Sequence, residues 1–183
     1  DRFQANQIDI LVGTQMIIKG LDFTNIGLVG IIDSDQLINY PNFRSNERAY
    51  QMLTQVAGRA GRRVNGSKVI IQTFQPNHKV ILNFLNNNHK QFIVNQLTER
   101  RLFKYPPYYK LIHIFLIHKR KDKLDLASNY FKDKLKNTLE DFLGPEYPLI
   151  ERLKGEYHKQ VLIKINDKIS LTKIKINLKK IIK

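Results

Sequence analysis

Gln51-Met52-Leu53-Thr54-Gln55-Val56-Ala57-Gly58-Arg59-Ala60-Gly61-Arg62 is the stretch on which the fold turns. It is the second half of a helix that the spacing starts near Ser45, a good N-cap residue, with Glu47 favouring the positive end of the helix dipole. Ala49, Leu53, Val56 and Ala57 recur at helical spacing. Gly58 and Gly61 close the helix, because glycine tolerates backbone angles that other residues resist. Apolar runs flank it: residues 26–32, ending on Asp33 and Asp35, and residues 68–74, rich in β-branched side chains. A further run at residues 8–12 reads as a short buried strand ending at Gly13-Thr14. Continuous apolar strands separated by helices suit a parallel sheet, so the first part of the chain is expected to be α/β.

Beyond this, residues 77–102 read as two helical stretches broken near residues 86–88. Pro106 and Pro107 then stop any helix, since neither has a backbone donor. We expect domains at 1–104 and 105–183. The second reads as a strand at 111–118, then a helix carrying Leu124, Ala127, Tyr130, Phe131, Leu135, Leu139 and Phe142, ended by Gly144-Pro145. An antiparallel pair turning near Gly155 follows, and then a helix from Ser170 with Leu171, Ile174, Leu178 and Ile181 inward. That β-α-β-β-α order is a small α+β domain.

The 183 residues carry a net charge of +15, unevenly spread. Residues 1–75 hold eight basic and six acidic groups, and the remainder 23 and 10. Such asymmetry points to a polyanion-facing second half. With no cysteine, disulfides, thiolate catalysis and thiolate zinc sites are excluded. The five histidines show no metal-binding spacing, strand-end Asp33 and Asp35 read as structural, and no metal site is expected. No apolar run approaches the ~20 residues of a membrane-spanning helix.

Two segments carry chemistry. The first, Gly13-Thr14-Gln15 through Lys19-Gly20-Leu21-Asp22-Phe23, follows a strand. Gly20 would let the backbone approach a phosphate, and Asp22 can orient a side chain or water. The second ends a helix, where Arg59 and Arg62 offer cationic forks that can neutralise a transferring phosphoryl group.

This ordered pair resembles motifs V and VI of superfamily 2 helicases. With residues 43–48 (Phe43-Arg44-Ser45-Asn46-Glu47-Arg48), Glu99-Arg100-Arg101, Tyr105-Pro106-Pro107 and residues 155–160, the chain resembles more narrowly the primosomal replication-restart DNA helicase family over nearly its whole length. The resemblance implies the distal half of a RecA-like lobe over 1–104, followed by a basic α+β domain. It implies that Arg59 and Arg62 reach the γ-phosphate of an ATP held mainly by the other motor lobe, and that Gln55 senses or positions the nucleotide. Gly20 and Asp22 would couple nucleotide state to DNA grip, with Thr14, Gln15 and Lys19 near the DNA backbone. In the whole protein the reaction would be ATP hydrolysis with magnesium, driving 3′-to-5′ movement on DNA at stalled forks in the bacterial cytoplasm.

The chain departs from the family in having no GxxxxGK[ST] phosphate loop and no Asp-Glu magnesium motif, so it is expected to be inactive alone. The family's cysteine-rich zinc insertion is also missing. The first residue is Asp1 and the family's closing strand does not follow the last helix, so both ends are expected to be cut. The basic domain is implied to contact forked and single-stranded DNA and the acidic tail of single-stranded DNA-binding protein, with Lys168 as the match to the tail-binding cation. Primosome proteins and the replicative helicase loader complete the implied partners. From the residues themselves, Lys132, Lys134, Lys136, Lys168, Lys173, Lys175, Lys179 and Lys180 supply charge, and Tyr108, Tyr109, Tyr130 and Tyr157 supply stacking faces. The competing readings are another fork-remodelling translocase, and a free-standing basic nucleic-acid-binding module with no motor.

Overall fold

The computed structural model describes residues 2, 3, 5, 7–14, 26–60, 66–139, 141–166 and 168–182, with the side chains of Arg59 and Ile182 excepted. The chain divides into two units, Asp1–Leu97 and Thr98–Lys183, each with its own core. No described helix is long and apolar enough to cross a membrane.

In the first unit, β1 (Leu28–Ile31) and β2 (Lys68–Ile71) pair in parallel, from Leu28 opposite Lys68 to Ile31 opposite Ile71. Between them run α1 (Asp35–Ile38) and α2 (Ser45–Ala60). The expected parallel sheet and its crossover helix are therefore present. Ala49, Tyr50, Leu53 and Val56 of α2 are buried with Ile31, Ile38, Val80, Ile81 and Phe92. Tyr50 stacks on Phe92 at 4.2 Å between ring centroids, an arrangement that contributes beyond area burial. The opposite face of the two strands is bare: Leu28, Ile32, Ile70 and Phe74 are all exposed, Phe74 at 91%.

One expected strand is not formed. Residues 8–12 are irregular, and Ile10 and Val12 are 77% and 83% exposed. An apolar run becomes a strand only against a hydrogen-bonding neighbour, and no described strand pairs with this one.

The two predicted helical stretches are α3 (Lys79–Leu85) and α4 (His89–Leu102), the latter running on into the second unit. Asn87, at a φ of 50°, ends α3, with the Asn88 N–H donating to the Asn83 carbonyl. Asn88 then caps α4 by accepting from the Gln91 N–H. At the far end of α4, Lys104 takes a φ of 58° and the Tyr105 N–H closes onto the Arg100 carbonyl. That closure ends the helix before either proline is reached.

The second unit holds β3 (Tyr109–His118), α5 (Lys121–Lys136), β4 (Phe142–Glu146), β5 (Arg152–Leu153), β6 (Glu156–Asn166) and α6 (Leu171–Ile182). The antiparallel sheet has the order β3-β6-β4, with β5 also pairing β6. The expected small α+β unit is there, with one strand added between the long helix and the hairpin. The helix stops at Lys136 and does not reach Phe142, because Phe142 lies in β4 opposite Ile163, packed against the core. Gly144-Pro145, read as a helix stop, sits inside that strand at a register shift. The hairpin turns at Lys154 and Gly155, both with positive φ, the two-residue geometry that matches strand twist. Phe131 and Leu135 of α5, Ile174 and Leu178 of α6, and Val161, Ile163 and Ile165 of β6 form the core on one face of the sheet. Ala127 and Tyr130, expected inward, are exposed, and Ser128 is fully buried instead.

Candidate functional site

The carboxyl ends of β1 and β2 lie side by side and are laced together. The Ser34 hydroxyl and N–H both donate to the Gln72 carbonyl. Asp35, 8% exposed, accepts from the Thr73 hydroxyl and the Phe74 N–H, each at 2.8 Å. Asp33, at a φ of 54°, accepts from the Gln36 side chain. Both aspartates thus have the structural role expected of them. Asp35 thereby satisfies the Phe74 N–H where the chain leaves β2.

Of the predicted phosphate-facing residues, Gln55 and Arg59 lie on α2, in its last turns before Ala60. Gln51 and Gln55 are exposed one turn apart, and Arg59 follows Gln55 by one further turn on the same helical face. Gly58, beside them, has nothing within 4 Å of where a Cβ would stand. At the other end of the helix, the Arg44 guanidinium lies 5.4 Å from the Phe43 ring centroid, and the Arg48 N–H donates to the Arg44 carbonyl. Thr14 is exposed. Gln15, Lys19, Gly20, Asp22 and Arg62 lie outside the described residues, as does the side chain of Arg59. Of the predicted set, the described residues bring only Gln55 and the Arg59 backbone onto one element.

In the second unit the predicted lysines are surface groups: Lys132, Lys134 and Lys136 on α5, Lys173, Lys175, Lys179 and Lys180 on α6, and Lys168 just after β6. Lys168 donates its N–H to the Asn166 side chain, which fixes the turn into α6. Three of the four predicted tyrosines already carry a cation over the ring. Tyr108 lies under Arg101, Tyr130 under Lys134, and Tyr157 under both Lys121 and Arg152.

Sequence reasoning missed a polar cluster on the core side of the sheet. Lys159, 9% exposed, reaches Asp125 at 2.6 Å and the Ser128 hydroxyl at 3.0 Å, with its ammonium 4.7 Å from the Tyr147 ring centroid. The Tyr147 hydroxyl donates to the same Asp125 oxygen. Bonds from Lys159 and then Tyr147 hold the Asp125 carboxyl below its ordinary range. Burial, then the bond to Asp125, pushes the Tyr147 hydroxyl up to about 12. Lys121 bridges to Glu151 and lies over both Tyr147 and Tyr157. The signal was available, since Lys159 shares the inward parity of Val161, Ile163 and Ile165.

No cysteine is available for the family's zinc, and among the described residues no group of three or more His, Asp or Glu could hold a metal ion. The described residues do not fit the zinc site that the resemblance implies.

Residues 1–64 match the helicase conserved C-terminal domain. The replication restart protein PriA of Synechocystis sp. is 41% identical over 167 residues, 90% of this chain and 20% of that protein. PriA of Bacillus subtilis is 39% identical over 183 residues, 98% of this chain and 22% of its own length. PriA of Thermotoga maritima is 36% identical over 167 residues, covering 91% and 22%. The chain spans about a fifth of the length of these relatives.

Proposed function

This chain belongs to the replication restart protein PriA family, and from that premise we propose that it is a working part of an ATP-dependent DNA helicase that restarts stalled forks. The observation that carries the reading is the helicase C-terminal domain match over residues 1–64, which takes in β1 and α2, with Gln55 exposed and Arg59 one turn further on.

In this reading ATP is the substrate, held with magnesium mainly by a lobe this chain does not contain. Water attacks the γ-phosphorus, the bond to the β-phosphate oxygen breaks, and negative charge accumulates on the equatorial and leaving oxygens. Arg59 and Arg62 stabilise that charge as arginine fingers, and Gln55 positions the nucleotide. Gly20 and Asp22 relay the nucleotide's state to Thr14, Gln15 and Lys19 at the DNA backbone, giving 3′-to-5′ movement. The second unit holds forked or single-stranded DNA and the acidic tail of single-stranded DNA-binding protein, near primosome proteins and the helicase loader. A bacterial cytoplasmic setting follows from those partners.

The deciding experiment is ATP turnover on forked DNA by the replication restart protein that carries this sequence, with Arg62→Ala beside the parent. Arginine fingers contribute roughly 10³–10⁵ in rate. Turnover should fall towards that range while nucleotide binding is kept, and the 183-residue chain alone should show none. Unchanged turnover in Arg62→Ala, or DNA-stimulated hydrolysis by the chain alone, would overturn the assignment.

A further inference from the structure

Connections that face water are usually built from polar and small residues, and the one between β4 and β5 is not. It reads Tyr147-Pro148-Leu149-Ile150-Glu151, with Leu149 84% and Ile150 68% exposed. Leu153, in the hairpin that follows, is exposed too. Pro148 has a fixed φ, and the residues on either side of the tip are tied down. The Tyr147 hydroxyl donates to Asp125, and the ammonium groups of Lys121 and Lys159 each lie 4.7 Å from its ring centroid. Glu151 accepts from Lys121 through its carboxylate and from the His158 N–H through its carbonyl. Leu149 and Ile150 are thus presented on a short span held at both ends. Adjoining apolar groups displayed in this way mark a contact site.

The surroundings of the tip are cationic. The Lys121–Glu151 bridge, at 2.9 Å, brings the start of α5 beside it. Lys119 and Lys123 flank Lys121, and Lys154 stands in the hairpin turn, all three exposed. The acids nearby are already engaged, Asp122 by Arg120 and Glu151 by Lys121. An apolar tip ringed by ammonium groups suits a ligand with negative charge along its rims and flat apolar surface within. The end of a nucleic-acid duplex has that build: phosphates run along both rims and the last base pair shows its face. Leucine and isoleucine are among the side chains that proteins insert at base steps.

We propose that Leu149 and Ile150 are a wedge that stacks on the terminal base pair where a duplex opens into single strands. Lys119, Lys123 and Lys154 hold the phosphates on either side, which positions the tip without touching the bases. A second copy of this chain is the poorer occupant, since the same lysines would then face one another in molecules of charge +15. The proposal rests on the reading that this chain works on forked DNA, and adds to it the residues that meet the junction.

The test uses the full chain and a forked DNA with 2-aminopurine in the first base pair of the duplex. Binding is followed by anisotropy and unstacking by the 2-aminopurine fluorescence, which should rise severalfold at saturation. Leu149→Ser combined with Ile150→Ser should abolish most of that rise. Affinity should fall by less than about threefold, because phosphate contacts supply most of it. Lys123→Glu should do the converse, weakening binding while the saturated signal keeps its height. Both wedge side chains are exposed, so the double variant should melt as the parent does, and Leu149→Phe should keep the rise. Fork binding by the parent without a rise, or an equal rise in the double serine variant, would overturn the wedge and leave the motor reading standing. No fork binding at all would count against both. Dimers in sedimentation that the double variant loses would assign the tip to a second copy and overturn the proposal.

Discussion

Lys159 of β6 sets its ammonium 2.6 Å from the Asp125 carboxylate of α5, on the side of the sheet that holds the core. A charge so placed is tolerable because both partners are further bonded, Lys159 to Ser128 and Asp125 to Tyr147. The Tyr147 hydroxyl, donating to the same carboxylate, pins the chain after β4 to the first half of α5.

Acid and alkali should each loosen the second unit through this cluster. Asp125 titrates below its ordinary 3.8. Its contribution is therefore full above that value and is lost as pH falls through it towards the folded value. Tyr147 titrates at about 12 against an ordinary 10.0. Its contribution is full below 10.0 and is lost as pH rises towards about 12. Urea midpoints measured against pH should show Asp125→Asn flattening the acid limb and Tyr147→Phe the alkaline limb. Parallel curves for parent and variants would remove the cluster from the stability account.

Gly144→Ala should be costly and Gly30→Ala should not. A Cβ at Gly144 would run into the Gln160 carbonyl oxygen at a φ of 91°, whereas Gly30 has nothing within 4 Å. We expect Gly144→Ala to lose about 2–3 kcal/mol, and Gly30→Ala to gain roughly 0.4–1 kcal/mol by restricting the unfolded chain. Denaturant unfolding of the two variants side by side checks the contrast.

Asp35→Ala should unfasten the carboxyl end of the parallel pair. It leaves the Thr73 hydroxyl and the Phe74 N–H without their acceptor, at a cost of about 2–3 kcal/mol. Asp35→Asn keeps one acceptor oxygen and should recover part of the loss. Thermal melts of the chain distinguish the two.

The lysine surface of α5 and α6 should bind single-stranded DNA with strong salt dependence. Each neutralised phosphate steepens the log–log slope by about 0.7, so four or five contacts lose more than about tenfold between ~50 and ~200 mM salt. Lys168→Glu should weaken capture of an acidic tail peptide of single-stranded DNA-binding protein while leaving the melting temperature in place. An exposed charge contributes little to stability. Titrations in a salt series, with DNA and peptide in separate arms, read both effects.

What the sequence disclosed follows the physics of each element. The β1–α2–β2 unit was legible because its apolar runs and the period of Ala49, Leu53 and Val56 are local signals. The α6 stripe of Ile174 and Leu178 was legible for the same reason. Strand β4 was not, since Gly144-Pro145 reads as a stop and only the register against Ile163 reveals a bulge. The strand expected at residues 8–12 failed because pairing is non-local. Lys159 escaped because its partners, Asp125 and Ser128, lie about thirty residues away. Of the candidate site, Gln55 and Arg59 were placed on their helix by periodicity. The residues around Gly20, and Arg62, lie outside the described residues.

The uncovered face of β1 and β2, with Leu28, Ile32, Ile70 and Phe74 in the open, has a consequence for the chain as a solute. Two influences oppose each other between molecules: adhesion through this oily patch, and repulsion through a charge of +15. Repulsion acts over about 30 Å at 0.01 M salt but only about 8 Å at physiological ionic strength. The adhesion is a surface effect that salt does not screen. Suspensions of this chain should therefore be clearest in dilute buffer and turn turbid as electrolyte is added, which light scattering in a salt series would read.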